Sequence, residues 1–242
     1  MPEIYVGEEH SQVYDLWRER GWRGLRLSHI DFHCDMRGLL IDRRRGRAYL
    51  IDSQDARMSK ADSGNFLAHA VMAGIVTSVR WVHDDFGGRR YDVGTVKYEG
   101  DLTAMPHRLV HRLERGAEVV IEYDDLSFAS WDGVRRGEHL DIDWDGLASV
   151  DYDRERIARL TTALLARDFP APETTYLVYS PGYSHPDRTL FDDFLTKLAA
   201  KFGADVRRLP PYTGPPHRAE ATGILEGIER RVVLALHRVG IY

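Results

Sequence analysis

Three polar clusters in this sequence hold the residue types that bind divalent cations. Glu8, Glu9 and His10 stand in GEEHS, Asp31, His33 and Asp35 in HIDFHCDM, and Asp141, Asp143 and Asp145 in LDIDWD. In an extended chain, residues i, i+2 and i+4 point to one side. Asp31, His33 and Asp35 would therefore converge, with Phe32 and Cys34 facing the other way. Carboxylates crowded away from water are costly unless a cation neutralises them. A divalent metal does so, and mixed carboxylate and imidazole ligation suits manganese, iron or zinc. Asp141 and Asp143 repeat the pattern, with Ile142 opposite. Four aspartates and His33 are more than one ion needs, whereas two ions bridged by carboxylates would use them all. Either string alone also reads as a solvated acidic turn; the weight comes from finding both at the ends of strand-like runs.

Those runs belong to an alternation of β and α patterns. EIYVG, LRLSHIDFH, VTSVRWV, AEVVIEYDD, EHLDID, TTYLVYSP and ADVRRLP read as strands. HSQVYDLWRERG, SGNFLAHAVMAG, DRERIARLTTALLAR, DRTLFDDFLTKLAAKFG and a long last segment, residues 218–240, read as helices. Asp62 or Ser63 is a candidate N-cap, and Gly21, Gly74 and Gly203 are candidate stops. GLLID and AYLID flank RRRGR and predict a β-hairpin near residues 38–52 with a solvated basic tip. Such alternation predicts an α/β chain with a mainly parallel central sheet between two helical layers, and ligands sit at the carboxyl ends of strands in such sheets.

Composition excludes several classes of function. The 242 residues are 43% hydrophobic and 29% charged, the balance of a globular chain rather than a disordered one. A formal net charge of -5 argues against a general nucleic-acid binder. Cys34 is the lone cysteine, so no intramolecular disulfide forms. The acidic start MPEIYVGEEH does not read as a signal peptide, and no run approaches the roughly 18 apolar residues of a membrane span. A cytoplasmic protein without nucleic-acid or membrane partners is the expectation; self-association into a homo-oligomer is left open.

The clusters also carry a resemblance. HIDFHCD resembles the D-x-H-x-D motif of the arginase/ureohydrolase superfamily, LDIDWD resembles its D-x-D motif, and GEEHS is similar to its G-G-D-H-S motif. The three stand in the family's chain order across roughly residues 7 to 145. The length of the chain and the run SPGYSHPD look more like the atypical peptide arginases, which convert arginine side chains of precursor peptides to ornithine and release urea. The resemblance implies one three-layer α/β/α, arginase-like metallohydrolase domain over residues 1–242, two Mn2+ per chain, and an arginine-containing precursor peptide as partner. It implies His10 as ligand of the first metal and His33 of the second, Asp31 and Asp141 as bridges, Asp35 completing the first shell and Asp143 the second. Metal-activated water would attack the guanidinium carbon, with Asp143 relaying a proton to the departing amine.

Departures from the family's pattern leave other roles open. Ser63, Gly64 and Asn65 match its S-G-N, but His69 stands four residues after Asn65 rather than two. His69 and Asn65 are therefore carried as candidates for proton transfer and substrate contact. His83, at the end of VRWVH, is an equal candidate proton donor, and Asp84 and Asp85 could pair with a guanidinium. No acidic residue in LVYSPGYSHPD precedes Asp187, where the family places its guanidinium-binding glutamate. Ser180, Tyr183 and His185 stand there as candidate substrate contacts. A tyrosine at that place is closer to deacetylases of the same fold, so small-guanidine and amide hydrolysis remain alternatives, as does a module that metal merely stabilises. His29 is a candidate to support a ligand, Trp144 could wall the pocket, and His107, His111, His217 and His237 read as structural or solvated.

Overall fold

The computed structural model describes residues 1–36, 39–42, 46–50, 61–84 and 118–213. Asp85, most of the hairpin tip, the final helix expected over 218–240, and His107, His111, His217 and His237 lie outside these residues.

The strands are β1 (Glu3–Gly7), β2 (Leu25–Ile30), β3 (Leu39–Asp42), β4 (Arg47–Leu50), β5 (Val76–His83), β6 (Glu118–Val120), β7 (Glu122–Ser127), β8 (His139–Asp143), β9 (Thr174–Val178) and β10 (Asp205–Arg208). The helices are α1 (His10–Glu19), α2 (Phe66–Met72), α3 (Trp144–Ala148), α4 (Arg154–Ala166) and α5 (Arg188–Phe202). Seven strands form one sheet in the order β10-β1-β9-β8-β2-β5-β7, and every pair in it is parallel. The expected hairpin is present as β3 and β4, to which β6 adds a third antiparallel strand. The single strand expected over AEVVIEYDD is in fact two. The chain leaves the small sheet at Val120 and enters the large one at Glu122, while the Ile121 amide donates to the Gly46 carbonyl between them.

A parallel sheet buries both faces, and period-two alternation assigns side chains to each. Tyr5, Leu27, Val79 and Tyr176 pack under α1 and α2 with Val13, Trp17 and Phe66. Ile4, Ile30, Leu140, Ile142 and Leu177 pack under α3, α4 and α5 with Trp144, Leu160, Phe191 and Phe194. Trp17 is the anchor of the first layer, fully buried with its ring 5.4 Å from that of Tyr176 and 5.7 Å from that of Phe66. Truncating it to alanine should cost about 3–5 kcal/mol. Trp144 packs against Phe191 and Phe194 in the second layer, so it belongs to the core there and does not wall a pocket as its neighbours in sequence suggested.

Two devices bring β8 to β2. Buried Arg80 of β5 donates to Glu138, to the Gly133 carbonyl and to Asp132, and Ser28 of β2 donates to Glu138 as well. This network fixes the entry of β8 beside β2; removing one member would strand a buried charge. At the other end of β8, Gly146 in α3 lies against the backbone of Asp31. A Cβ at Gly146 would stand 2.7 Å from the Asp31 Cα and 2.8 Å from its nitrogen. Only glycine permits that approach, and it brings the start of α3 onto the end of β2.

Candidate metal centre

Alternation places His29 and Asp141 on the α1 face of the sheet, because Leu27, the next residue in step with His29, is on that face and Leu140 and Ile142 are on the other. His29 and Asp141 are opposite one another across β2 and β8. Asp31 follows β2, its amide donating to the Val82 carbonyl and its carbonyl accepting from the Trp81 indole. His10 is the first residue of α1. Glu9 is the N-cap: its side chain accepts from the Gln12 amide, and Gln12 Oε1 accepts from the Glu9 and Glu8 amides, each at 2.8 Å. Reciprocal capping of this kind fixes where the helix begins and so where His10 stands.

These elements collect eight ionisable side chains at the carboxyl ends of three strands, β1, β8 and β2. His10 Nδ1 lies 3.2 Å from Asp143 Oδ2, 3.4 Å from Asp35 Oδ2 and 3.8 Å from Asp31 Oδ2. His33 Nδ1 lies 3.3 Å from Asp145 Oδ2 and 3.7 Å from Asp31 Oδ1. Asp31 therefore turns one oxygen to each histidine. Beneath them, His29 Nδ1 stands 2.8 Å from Asp141 Oδ2 and its Nε2 3.2 Å from Asp31 Oδ2. His10, His29, Asp31 and Asp141 have no solvent exposure, while His33 shows 28% of its side chain.

Five aspartates in this volume need positive charge. Burial raises the Asp35 carboxyl to about 7, with Asp31 adding to the effect, and burial with Asp31 raises Asp143 as well. Glu9 is raised to about 8 by burial and then by Asp143. The histidines answer in kind. Burial disfavours their charged forms, but the hydrogen bond to Asp141 and the nearby Asp31 carboxylate carry His29 to about 10, and the neighbouring aspartates carry His10 and His33 well above the ordinary imidazole value. Burial would raise Asp141, yet His10 and His29 outweigh it and hold its carboxyl low. Among the described residues the ion pairs of these aspartates are with histidines alone.

The donor set fits divalent cations. Both ring nitrogens of His10, His29 Nε2, Asp31 Oδ2 and Asp141 Oδ1 are buried without a hydrogen bond. Buried polar atoms are ordinarily paired, so such a concentration marks a place where a ligand completes the pairing. Four overlapping trios of potential donors lie within 4.8 Å of one another: His10 with His29 and Asp141, His10 with Asp31 and Asp143, His29 with Asp31 and Asp35, and Asp31 with His33 and Asp145.

The geometry brings together all six residues that the resemblance implied as ligands, His10, Asp31, His33, Asp35, Asp141 and Asp143, and adds two. Asp145 faces His33, and Asp143 faces His10. His29 lies between Asp31 and Asp141. Among the described residues, two other than glycine have left-handed backbone that disfavours side chains, Asp35 at φ 52° and Ser180 at φ 49°. Both hold site carboxylates in place: Asp35 supplies one, and Ser180 Oγ donates to Asp143 Oδ2 at 2.7 Å. Ser180 therefore contacts a site carboxylate, a different position from the substrate contact that its place in SPGYSHP suggested. Tyr183 sets its ring edge-on to His33 at 5.7 Å, beside the most exposed of the three imidazoles.

The other candidates make contacts of their own, and α2, which carries two of them, packs on the site through Phe66. His83 Nε2 is 2.8 Å from Asp125 Oδ1 at the end of β5, its ring 4.5 Å from that of Trp81. Asp84 is held through two donors of Arg156, at 2.7 and 3.0 Å, on the α4 side of the sheet. Asn65 is buried at the N-cap of α2, where its Oδ1 accepts from the Asp62 amide. His69, further along α2, sets its ring 5.9 Å from that of Tyr14. His185 accepts from the Asp187 amide through Nδ1 and donates its own amide to the Ala148 carbonyl, closing the turn before α5. Glu8 is engaged by Arg188. Ion pairs such as Asp84–Arg156, spanning 72 positions, carry no signal in a single sequence.

No protein-family description matches this chain, and no curated protein matches it. Among solved structures it is similar to a proclavaminate amidino hydrolase from Streptomyces clavuligerus, at 13% identity and a TM-score of 0.43 over 82% of this chain and 62% of that one. It is similar to a hypothetical agmatinase from Burkholderia thailandensis, at 14% identity and 0.39 over 83% and 57%. It is also similar to an arginase from Medicago truncatula, at 13% and 0.40 over 82% and 56%. The chain thus spans less than two thirds of the length of each. Similarities of this size leave the site to be read from its own residues, a buried group of histidines and aspartates that could hold divalent metal.

Proposed function

We propose that this protein is a dinuclear-metal hydrolase of the arginase/ureohydrolase type that converts arginine side chains of a peptide to ornithine with release of urea. The supporting observation is the convergence of three separate motifs, about 130 residues apart at the extremes, on one buried cluster of imidazoles and carboxylates in which several donor atoms have no hydrogen bond. Peptide substrates rest on the resemblance of SPGYSHPD, and Mn2+ on the family.

In this reading the first ion is held by His10, Asp35, Asp31 and Asp143, and the second by His33, Asp31 and Asp145. The motif D-x-D is then Asp143–Trp144–Asp145, two residues later than the pair Asp141 and Asp143 first aligned with it. Bound ions supply a water of lowered pKa and positive charge facing the developing transition state. The chain's own residues do the remainder. Ser180 orients Asp143, the carboxylate proposed to carry a proton to the departing amine. Tyr183, beside His33, is proposed as the substrate contact nearest the metals. Asp84 and His83, already paired with Arg156 and Asp125, are support for the sheet ends.

The test is metal analysis of the purified protein joined to mass spectrometry. Two equivalents of Mn2+ and loss of one CN2H2 unit per modified arginine in a peptide are expected. Metal-loaded protein that leaves every arginine peptide intact but releases urea from agmatine or free arginine would replace the peptide reading with a small-guanidine one. A chain that binds no divalent metal would sink both.

A further inference from the structure

His29 and Asp141 have no place in the ligand set just given, although both are fully buried. We propose that they form a carboxylate–imidazole support beneath the metals that fixes the orientation of His10 and Asp31 without binding metal. The inference rests on the dinuclear reading of the cluster above it.

The geometry assigns each atom. His10 turns Nδ1 toward Asp143, Asp35 and Asp31, and Nε2 the opposite way, 3.4 Å from Asp141 Oδ1. That approach lies outside hydrogen-bond geometry in the metal-free chain; with a metal on Nδ1 the ring proton is on Nε2, facing the Asp141 carboxylate. Asp141 Oδ2 is engaged at 2.8 Å by His29 Nδ1, and His29 Nε2 reaches Asp31 Oδ2 at 3.2 Å. Asp31, His29, Asp141 and His10 therefore form a continuous chain, and both oxygens of Asp141 are directed at imidazoles. Phe66 closes the pair from α2, stacked on His10 at 4.5 Å and edge-on to His29 at 6.0 Å. Position along the strands agrees. Asp141 is level with His29 inside the sheet, whereas Asp143 ends β8 and Asp145 stands in the first turn of α3, level with the loop that carries His33 and Asp35.

Three spaced aspartates make two overlapping D-x-D readings, and substitution separates them. Mn2+ and Co2+ binding would be measured by calorimetry and elemental analysis on the full chain, with the visible absorption of the Co2+-loaded protein as the report on His10. In Asp141→Asn we expect two metals per chain, affinity lowered about 10–100-fold, and a displaced Co2+ band. In Asp145→Asn we expect one metal to be lost. Loss of a metal in Asp141→Asn with two retained in Asp145→Asn would overturn the proposal, as would unchanged affinity and spectrum in Asp141→Asn. Should Asp141→Asn not fold, His29→Gln carries the same expectations and the same refutation. Failure of the wild-type chain to bind any metal is a different result, and it would remove the dinuclear reading itself.

Discussion

Gly146→Ala tests whether the close approach of α3 to β2 builds the site. The residue sits inside a helix without a positive φ, so helix propensity alone predicts that alanine would stabilise the chain by up to about 1 kcal/mol. Packing predicts the reverse. The added methyl would stand 2.7 Å from the Asp31 Cα, 2.8 Å from its nitrogen and 3.0 Å from its carbonyl carbon. Carbon pairs rest at about 3.5–4.0 Å, so α3 and the end of β2 must part by about 0.8 Å or more, and backbone atoms cannot rotate away as a side chain would. Overpacking of this kind costs about 1–3 kcal/mol, or a Tm lower by several degrees at roughly 2–4 °C per kcal/mol for a chain of this size. The shift also exceeds the roughly 0.5 Å within which a site must be held, and it separates Asp31 from Asp143 and Asp145. Calorimetric melting with and without Mn2+ is the assay. We expect a lower Tm for the metal-free variant and a further loss of the metal-induced gain. A Tm at or above wild type, with metal affinity unchanged, would show that the contact does not position the site.

Further outcomes follow from the same geometry. Ser180→Ala removes a donor from buried Asp143, a hydrogen bond to a charged group worth about 1.5–3 kcal/mol. Ser180→Gly loses the same bond but relieves the left-handed backbone, so it should melt above Ser180→Ala; the opposite order would dismiss strain at this position. In the metal-free protein, Asp35 at about 7 and Glu9 at about 8, against ordinary values of 3.8 and 4.5, keep protons that the unfolded chain has released. Their stabilisation is full below about pH 4 and lost as pH rises through about 7 to 8. Metal displaces those protons, so the gain in Tm on adding Mn2+ should grow between about pH 6 and about pH 8; a constant gain would count against proton competition. Asp84→Asn should lower the melting temperature by weakening the Arg156 contact, yet leave KM for a guanidine substrate unchanged, and a raised KM would return Asp84 to the substrate pocket.

Much of this could be read from residue types and spacing, and the remainder has physical reasons. Strand and helix periods differ enough that β1, β2, β5, β8, β9 and the helices α1, α2 and α4 stand where alternation put them, whereas α3 was not expected. Extended alternation was the reason to expect Asp31, His33 and Asp35 together, but β2 ends at Ile30 and they meet on a loop in which Asp35 is left-handed; His10 came from the resemblance alone. The register of the aspartate triplet did not follow, because Asp141, Asp143 and Asp145 are equivalent while the chain is read as extended. The strand ends at Asp143, and the helical turn starting at Trp144 sends Asp145 to His33 by a path that period two does not describe. Ile121 hid a change of sheet, since alternation is the same whichever strand lies alongside. The capping of α1 by Glu9 and Gln12 was written in the string EHSQ, but its effect on His10 required knowing that His10 opens the helix.

The strand order sets when the site can exist during folding. β8 lies between β2 and β9, and its contacts with β2 close a loop of about 110 residues, as the separation of His29 and Asp141 records. Closing such a loop comes late and slowly, because chain entropy is lost before the pairing rewards it. Until then β2 has an unpaired edge on one side, and His29 faces no carboxylate across it. A cation meeting the nascent chain finds only Asp31, His33 and Asp35 on a loop, too few to commit it. Loading therefore follows insertion of β8, and a metal added during refolding should change the yield of native protein without changing the rate at which the sheet forms.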